Sequence, residues 1–150
     1  MATRTRPKQR PPTRLGEASS AQGQRPLAGP ALLAICLIHL ACTPLFYGTG
    51  LDAIVDDGIV NGVETAGPTE ADRASTFWYV VTGLLLAPFG LLVWEVERQV
   101  GRVPGSVGWL LLGFVTLTVL LMPTSGFWLF LVPAGIVLVR ARASEPGPRG

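Results

Sequence analysis

His39 is the only histidine in these 150 residues, and it lies midway between the only two cysteines, Cys36 and Cys42, in an otherwise apolar stretch. An ionisable ring in such a stretch is costly to place without a partner, which makes it a candidate for ligand contact or proton handling. On a helix the two thiols stand about 60° to either side of the imidazole, so one metal ion is poorly placed to take all three. About 9 Å of rise separates the thiols, too far for an intrahelical disulfide. The plainer reading is two small apolar thiols and an imidazole hydrogen-bonded to a hydroxyl or carbonyl on a neighbouring helix.

A second constellation is acidic. Asp56 and Asp57, with Asp52, Asn61 and Glu64 close by, carry the oxygen ligands a hard divalent cation takes. Their spacing is not that of a calcium loop, and a solvated acidic face accounts for them, so no metal is assigned. Arg73 closes this segment as its one basic residue. It suits pairing with an aspartate, holding a lipid phosphate, or anchoring the segment at an interface. Trp78, Ser125 and Trp128 complete the candidate ligand-binding set, with no catalytic residue and no cofactor among them.

These residues are positioned by four apolar windows: Ala31 to Tyr47, Ser75 to Trp94, Val107 to Met122, and Phe127 to Val139. A membrane crossing takes about 20 apolar residues. The last window is short, and Ser125 at one end with Arg140 and Arg142 at the other extends it by capping and snorkelling. Trp78 and Trp94 stand about 24 Å apart along a helix, a plausible hydrocarbon thickness bracketed by interfacial rings. Pro123 to Gly126 form a short turn, which makes the third and fourth helices antiparallel neighbours. Leu51, Ile54, Val55, Ile59 and Val63 recur near helical spacing and predict a short helix at the outer interface.

Charge sorts by segment. Only 15% of the residues are charged, against about 25% in a soluble protein. Eleven of the twelve basic residues flank the windows on one side, while the acidic segment occupies the other. The positive-inside rule assigns the basic side to the cytoplasm. A net charge of +2, carried by flanking arginines, gives no argument for nucleic acid. Residues 1–29 are rich in Arg, Pro, Gln, Ser and Gly and predict a disordered tail. The site around Ala41 to Thr43 is poor for signal cleavage, so the first helix is expected to be retained.

Several patches occur together in order: His39 in a first span, "DDGIVNGV" at Asp56 to Val63, "FWYVVTGLLL" at Phe77 to Leu86, "VPGSVGWLLL" at Val103 to Leu112, and "MPTSGFWLFLVPAG" at Met122 to Gly135. In these the chain resembles a bacterial family of small four-helix membrane proteins, domain-of-unknown-function family 6463, over about residues 31–140. The resemblance implies a compact four-helix membrane bundle and no assigned activity. It draws attention to His39, Asp57, Gly58, Asn61, Trp78, Pro123, Ser125, Gly126 and Trp128.

The expected protein is therefore all-α, an integral membrane antiparallel four-helix bundle with a short outer interfacial helix. Residues 1–29 and 143–150 are cytoplasmic tails, and 30–142 are the transmembrane domain of a multi-pass protein in a bacterial cell membrane. Arg73, Trp78, the acidic segment and the Ser125 turn are expected to converge at its outer mouth, with His39 below. The balance favours a non-enzymatic binding or accessory protein that takes a lipid, a small amphiphile or a membrane-protein partner there. A redox or quinone-linked component using His39 and its flanking cysteines is one alternative. A structural subunit or homo-oligomer joined through small-residue faces is another.

Overall fold

A computed structural model describes residues 25–143, so the expectations for residues 1–24 and 144–150 lie outside the described residues. Five α-helices are present and, among these residues, no strand: α1 (Ala28–Ala41), α2 (Thr43–Asp56), α3 (Glu70–Val100), α4 (Gly105–Leu121) and α5 (Leu131–Ala143). A 3₁₀ segment, Gly126–Phe130, leads directly into α5.

The first apolar window does not form one straight helix. Pro44 brings no N–H to the ladder, so α1 stops at Ala41 and the chain turns by 50° into α2, whose first turn accommodates the proline. The helix expected from Leu51 therefore begins at Thr43 and takes in the end of that window. It bends again at Tyr47, whose φ of −131° and ψ of 24° leave the helical region. It also ends earlier than the apolar spacing suggests. Asp57 caps it, and Gly58 follows at φ 82°, the left-handed stop that glycine adopts without strain. Ile59 and Val63 consequently lie outside the helix, and Ile59 and Val60 are exposed.

Two helical segments, Glu70–Val100 and Gly126–Ala143, are long and apolar enough to cross a membrane. The bent pair of α1 and α2 makes a third if it counts as one span, while α4 is apolar but has 17 residues. Glu70 and Asp72 in the first turn of α3 suit the positive end of its dipole, and Gly101 at φ 77° ends it.

Helix α1 lies between α3 and α5, and α4 packs on α5 and the 3₁₀ segment. Close approach at glycines sets the registers. Gly29 lies against the Trp94 backbone, Gly90 against Leu33 and Gly83 against His39 and Leu40, so α1 and α3 run antiparallel. Gly105 against Ala141 and Gly108 against Leu138 give the same sense to α4 and α5. Leu32, Val93, Val115, Phe130 and Val137 fill the core between these helices. Phe114 packs edge-on to Phe127 and Phe130, at 5.6 and 5.9 Å between ring centroids.

A methyl group on Gly29 would collide with Trp94 Cβ and with the Trp94 backbone, which has no room to yield. Gly29→Ala should therefore destabilise the protein by about 1–3 kcal/mol. Gly113→Ala meets open space and should be neutral or stabilising by up to about 1 kcal/mol through helix propensity. Unfolding in detergent followed by circular dichroism checks the contrast.

Candidate functional site

At the start of α3, Arg73 is only 3% exposed although it is charged. Its Nη1 donates to Asp57 Oδ2 at 2.7 Å and to Thr69 Oγ1 at 2.8 Å, and its Nη2 donates to the Thr65 carbonyl. The guanidinium thus ties the connection after α2 to the first turn of α3. Of the roles the sequence left open, this is the aspartate pair, and the cation is committed within the protein. Asn61 lies in the same connection at φ 68°, its carbonyl accepting from Glu64 N at 3.2 Å. Gly62 packs against the Gly58 and Ile54 carbonyls. Asp56 is exposed at the end of α2.

Farther along α3, His39 Nε2 donates to the Tyr79 carbonyl at 3.0 Å, which fixes the proton on that nitrogen if the ring is neutral. Its ring stacks on Tyr79 at 3.9 Å, and Tyr79 in turn meets Tyr47 at 4.5 Å. Cys36 Sγ donates to the Gly83 carbonyl at 3.3 Å. Both polar groups of α1 therefore close on the backbone of α3, where the missing side chain of Gly83 admits them. Among the described residues no three His, Cys, Asp or Glu side chains gather as a metal site would require.

Between the Arg73 corner and this aromatic stack lies a pocket of about 220 Å³. Helix α2 contributes Phe46, Tyr47, Thr49 and Gly50, and α3 contributes Asp72, Ser75 and Thr76. Gly50 makes the close approach of the two helices, since any side chain there would collide with Thr76 and the Asp72 carbonyl. None of these seven residues was in the sequence-derived set. Their signal was weak: small and hydroxyl residues that look like packing until a bend in the chain faces them toward one another.

The remaining candidates stand apart. Ser125 Oγ donates to the Met122 carbonyl at 2.6 Å and Trp128 Nε1 to the Pro123 carbonyl at 2.9 Å, so both close the turn between α4 and α5. Neither α2 nor α3 contacts the 3₁₀ segment that carries Trp128. Trp78 is exposed and packs edge-on to Phe77. The structure thus brings Asp57 and Arg73 together, sets His39 behind Tyr79, and leaves Trp78, Ser125 and Trp128 separate from both.

At the other end of α3, Glu97 is a residue the sequence did not single out. It is 3% exposed, and its carboxylate accepts from the amides of Leu27, Ala28 and Gly29 at 3.2, 3.1 and 2.9 Å. Arg140 Nη1 reaches the same carboxylate at 3.2 Å, while its Nη2 donates to the Arg25 carbonyl at 2.8 Å. The first turn of α1 has no acid of its own, and α3 supplies one. The two buried charges of α3, Arg73 and Glu97, are 24 positions apart, about 36 Å of helix.

A family model described as a family of unknown function (DUF6463) matches residues 23–144 of the chain. No curated protein and no solved structure matches it.

Glu97→Ala should cost about 3 kcal/mol or more, because it strips two buried amides, a part-buried one and Arg140 of their shared acceptor. Arg140→Ala leaves that carboxylate its amides and should cost less, about 1–2 kcal/mol. Denaturation midpoints of the two variants in one detergent check the order.

Proposed function

We propose, for a chain that belongs to this family of unknown function, the role of a multi-pass protein of a bacterial cell membrane that binds a small amphiphile or lipid without catalysis. The observation that carries the membrane reading is coverage. In the most apolar stretch of each long segment, only 22% of the residues are buried against the rest of the protein. Leu84, Leu85, Leu91 and Leu92 of α3 are among those left open, and so are Leu110, Leu117, Leu120 and Leu121 of α4. Apolar surface on that scale needs an apolar solvent.

In this reading α1 with the first turn of α2, α3, α4 and the 3₁₀–α5 segment cross as a four-helix arrangement, and the rest of α2 beyond the bend at Tyr47 lies at the outer interface. Helix α4 rises about 26 Å, somewhat under a hydrocarbon core of about 30 Å, a mismatch that local thinning accommodates. The two buried charges of α3, Arg73 and Glu97, then stand near opposite faces of the bilayer. Arg98, Arg102, Arg140 and Arg142 flank the Glu97 end, and Asp52, Asp56, Glu64 and Glu70 flank the Arg73 end. The positive-inside rule places the first group, with both termini, in the cytoplasm.

The binding reading is supported by the pocket between α2 and α3. It is smaller than a drug-sized site and open to the interface, which suits a headgroup more than a whole ligand. Among the described residues no charged side chain lies in the middle of an apolar stretch to form a conducting or proton-relay path. His39 and Cys36 are engaged with α3 carbonyls, which favours packing for them over the redox alternative.

Single cysteines placed by Val60→Cys and Ala143→Cys, with Cys36 and Cys42 replaced by serine, test the topology. An impermeant maleimide should label position 60 in intact cells and position 143 only after permeabilisation. Equal labelling of both overturns the two-sided arrangement. Mass spectrometry of the detergent-extracted protein should find a retained lipid or amphiphile, and a ligand-free protein overturns the binding role.

A further inference from the structure

From the chemistry of its walls, we infer that the α2–α3 pocket is a subsite for the protonated amine of an amphiphile, the ammonium of an aminolipid headgroup. The inference deepens the amphiphile-binding role proposed above and rests on it. Three features select the ligand charge. The pocket lining contains no basic residue, and Arg73, next in the chain to Asp72, is buried with both terminal nitrogens bonded to Asp57, Thr69 and Thr65 and only Nε without a partner. An anionic headgroup would therefore meet the charge of Asp72 with no cation in the lining to offset it. That carboxylate has no side-chain partner among the described residues and is open to solvent.

The hydroxyls point to the same ligand. Ser75 Oγ donates its proton to the Ala71 carbonyl at 2.8 Å, and Thr76 Oγ1 donates to the Asp72 carbonyl at 2.7 Å. With those protons committed, the two oxygens offer the pocket lone pairs only. The Thr49 and Tyr47 hydroxyls of the lining can accept as well as donate, so together with the Asp72 carboxylate they suit a group that only donates, and a primary ammonium has three donors and no acceptor. Phe46 and Tyr47 complete the lining with rings, which attract cations through their π faces and shed water from the headgroup's alkyl stem. Phe46 is 68% exposed, so the attached chain can leave along an apolar surface.

The test uses the full-length protein in dodecyl maltoside, titrated with lysophosphatidylethanolamine or lysophosphatidylglycerol and read by native mass spectrometry. The wild type should retain one lysophosphatidylethanolamine at a concentration at least tenfold below that needed for lysophosphatidylglycerol. Asp72→Asn should abolish this preference, and Ser75→Ala should weaken it. Asp52→Asn, equally acidic but outside the pocket, should leave it intact. Competition by free ethanolamine assigns the site to soluble amines, and failure to compete assigns it to the lipid; both outcomes uphold the amine chemistry. Equal retention of the two lysolipids, or an unchanged preference in Asp72→Asn, overturns the inference while the amphiphile-binding role stands. Retention of neither removes both.

Discussion

The Glu97 carboxylate is the contact on which the arrangement of helices turns. It caps the opening amides of α1, which has no acidic residue in its own first turn, and it holds Arg140 at the end of α5. Those amides carry the positive end of the helix dipole, so a buried anion is stabilised there by both hydrogen bonds and field. Once α1 is fixed at this point, its register along α3 follows. Gly29 meets Trp94, Gly90 meets Leu33 and Gly83 meets His39, each a backbone approach that a shift of one residue would turn into a clash.

At the far end of α3 a second pair, buried Arg73 with exposed Asp57, does the corresponding work for the connection after α2. The two pairs differ in what they hold. Glu97 joins three helices, whereas Arg73 joins one helix to a loop through an aspartate, a hydroxyl and a carbonyl. Removing the partner of the buried member, Asp57 from Arg73 or Arg140 from Glu97, takes compensation from a buried charge, which is a larger effect than the net gain of forming the pair. Between them α2 is bent toward α3 by Pro44 and again at Tyr47, and the pocket is the space this bend encloses.

The apolar windows, the acidic segment and the short turn before the last helix were legible because each depends on a local run of residues. The α4–α5 pairing followed from a turn too short to permit anything else. The helix at the start of the acidic segment was anticipated, but not its bounds. Pro44 moved its beginning earlier and Gly58 moved its end earlier, and both residues outweighed the apolar spacing that ran through Ile59 and Val63. The expected meeting of Arg73, Trp78 and the Ser125 turn was half realised, since Arg73 found Asp57 while Ser125 and Trp128 bonded within their own turn.

What the sequence determined by itself is the composition of each segment: helices throughout, long apolar runs, and charges confined to their ends, along with the resemblance to a family that the match over residues 23–144 bears out. Hydropathy and helical period act over a few neighbouring residues, so they survive without knowledge of the fold. Which charges pair was decided only in three dimensions. Glu97 stands beside Glu95 and Arg98 in the chain and gives no local sign that it, of the three, faces inward to cap a helix about 70 positions away. The pocket is of the same kind, because its walls come from two helices whose approach depends on a bend and on the bare face of Gly50.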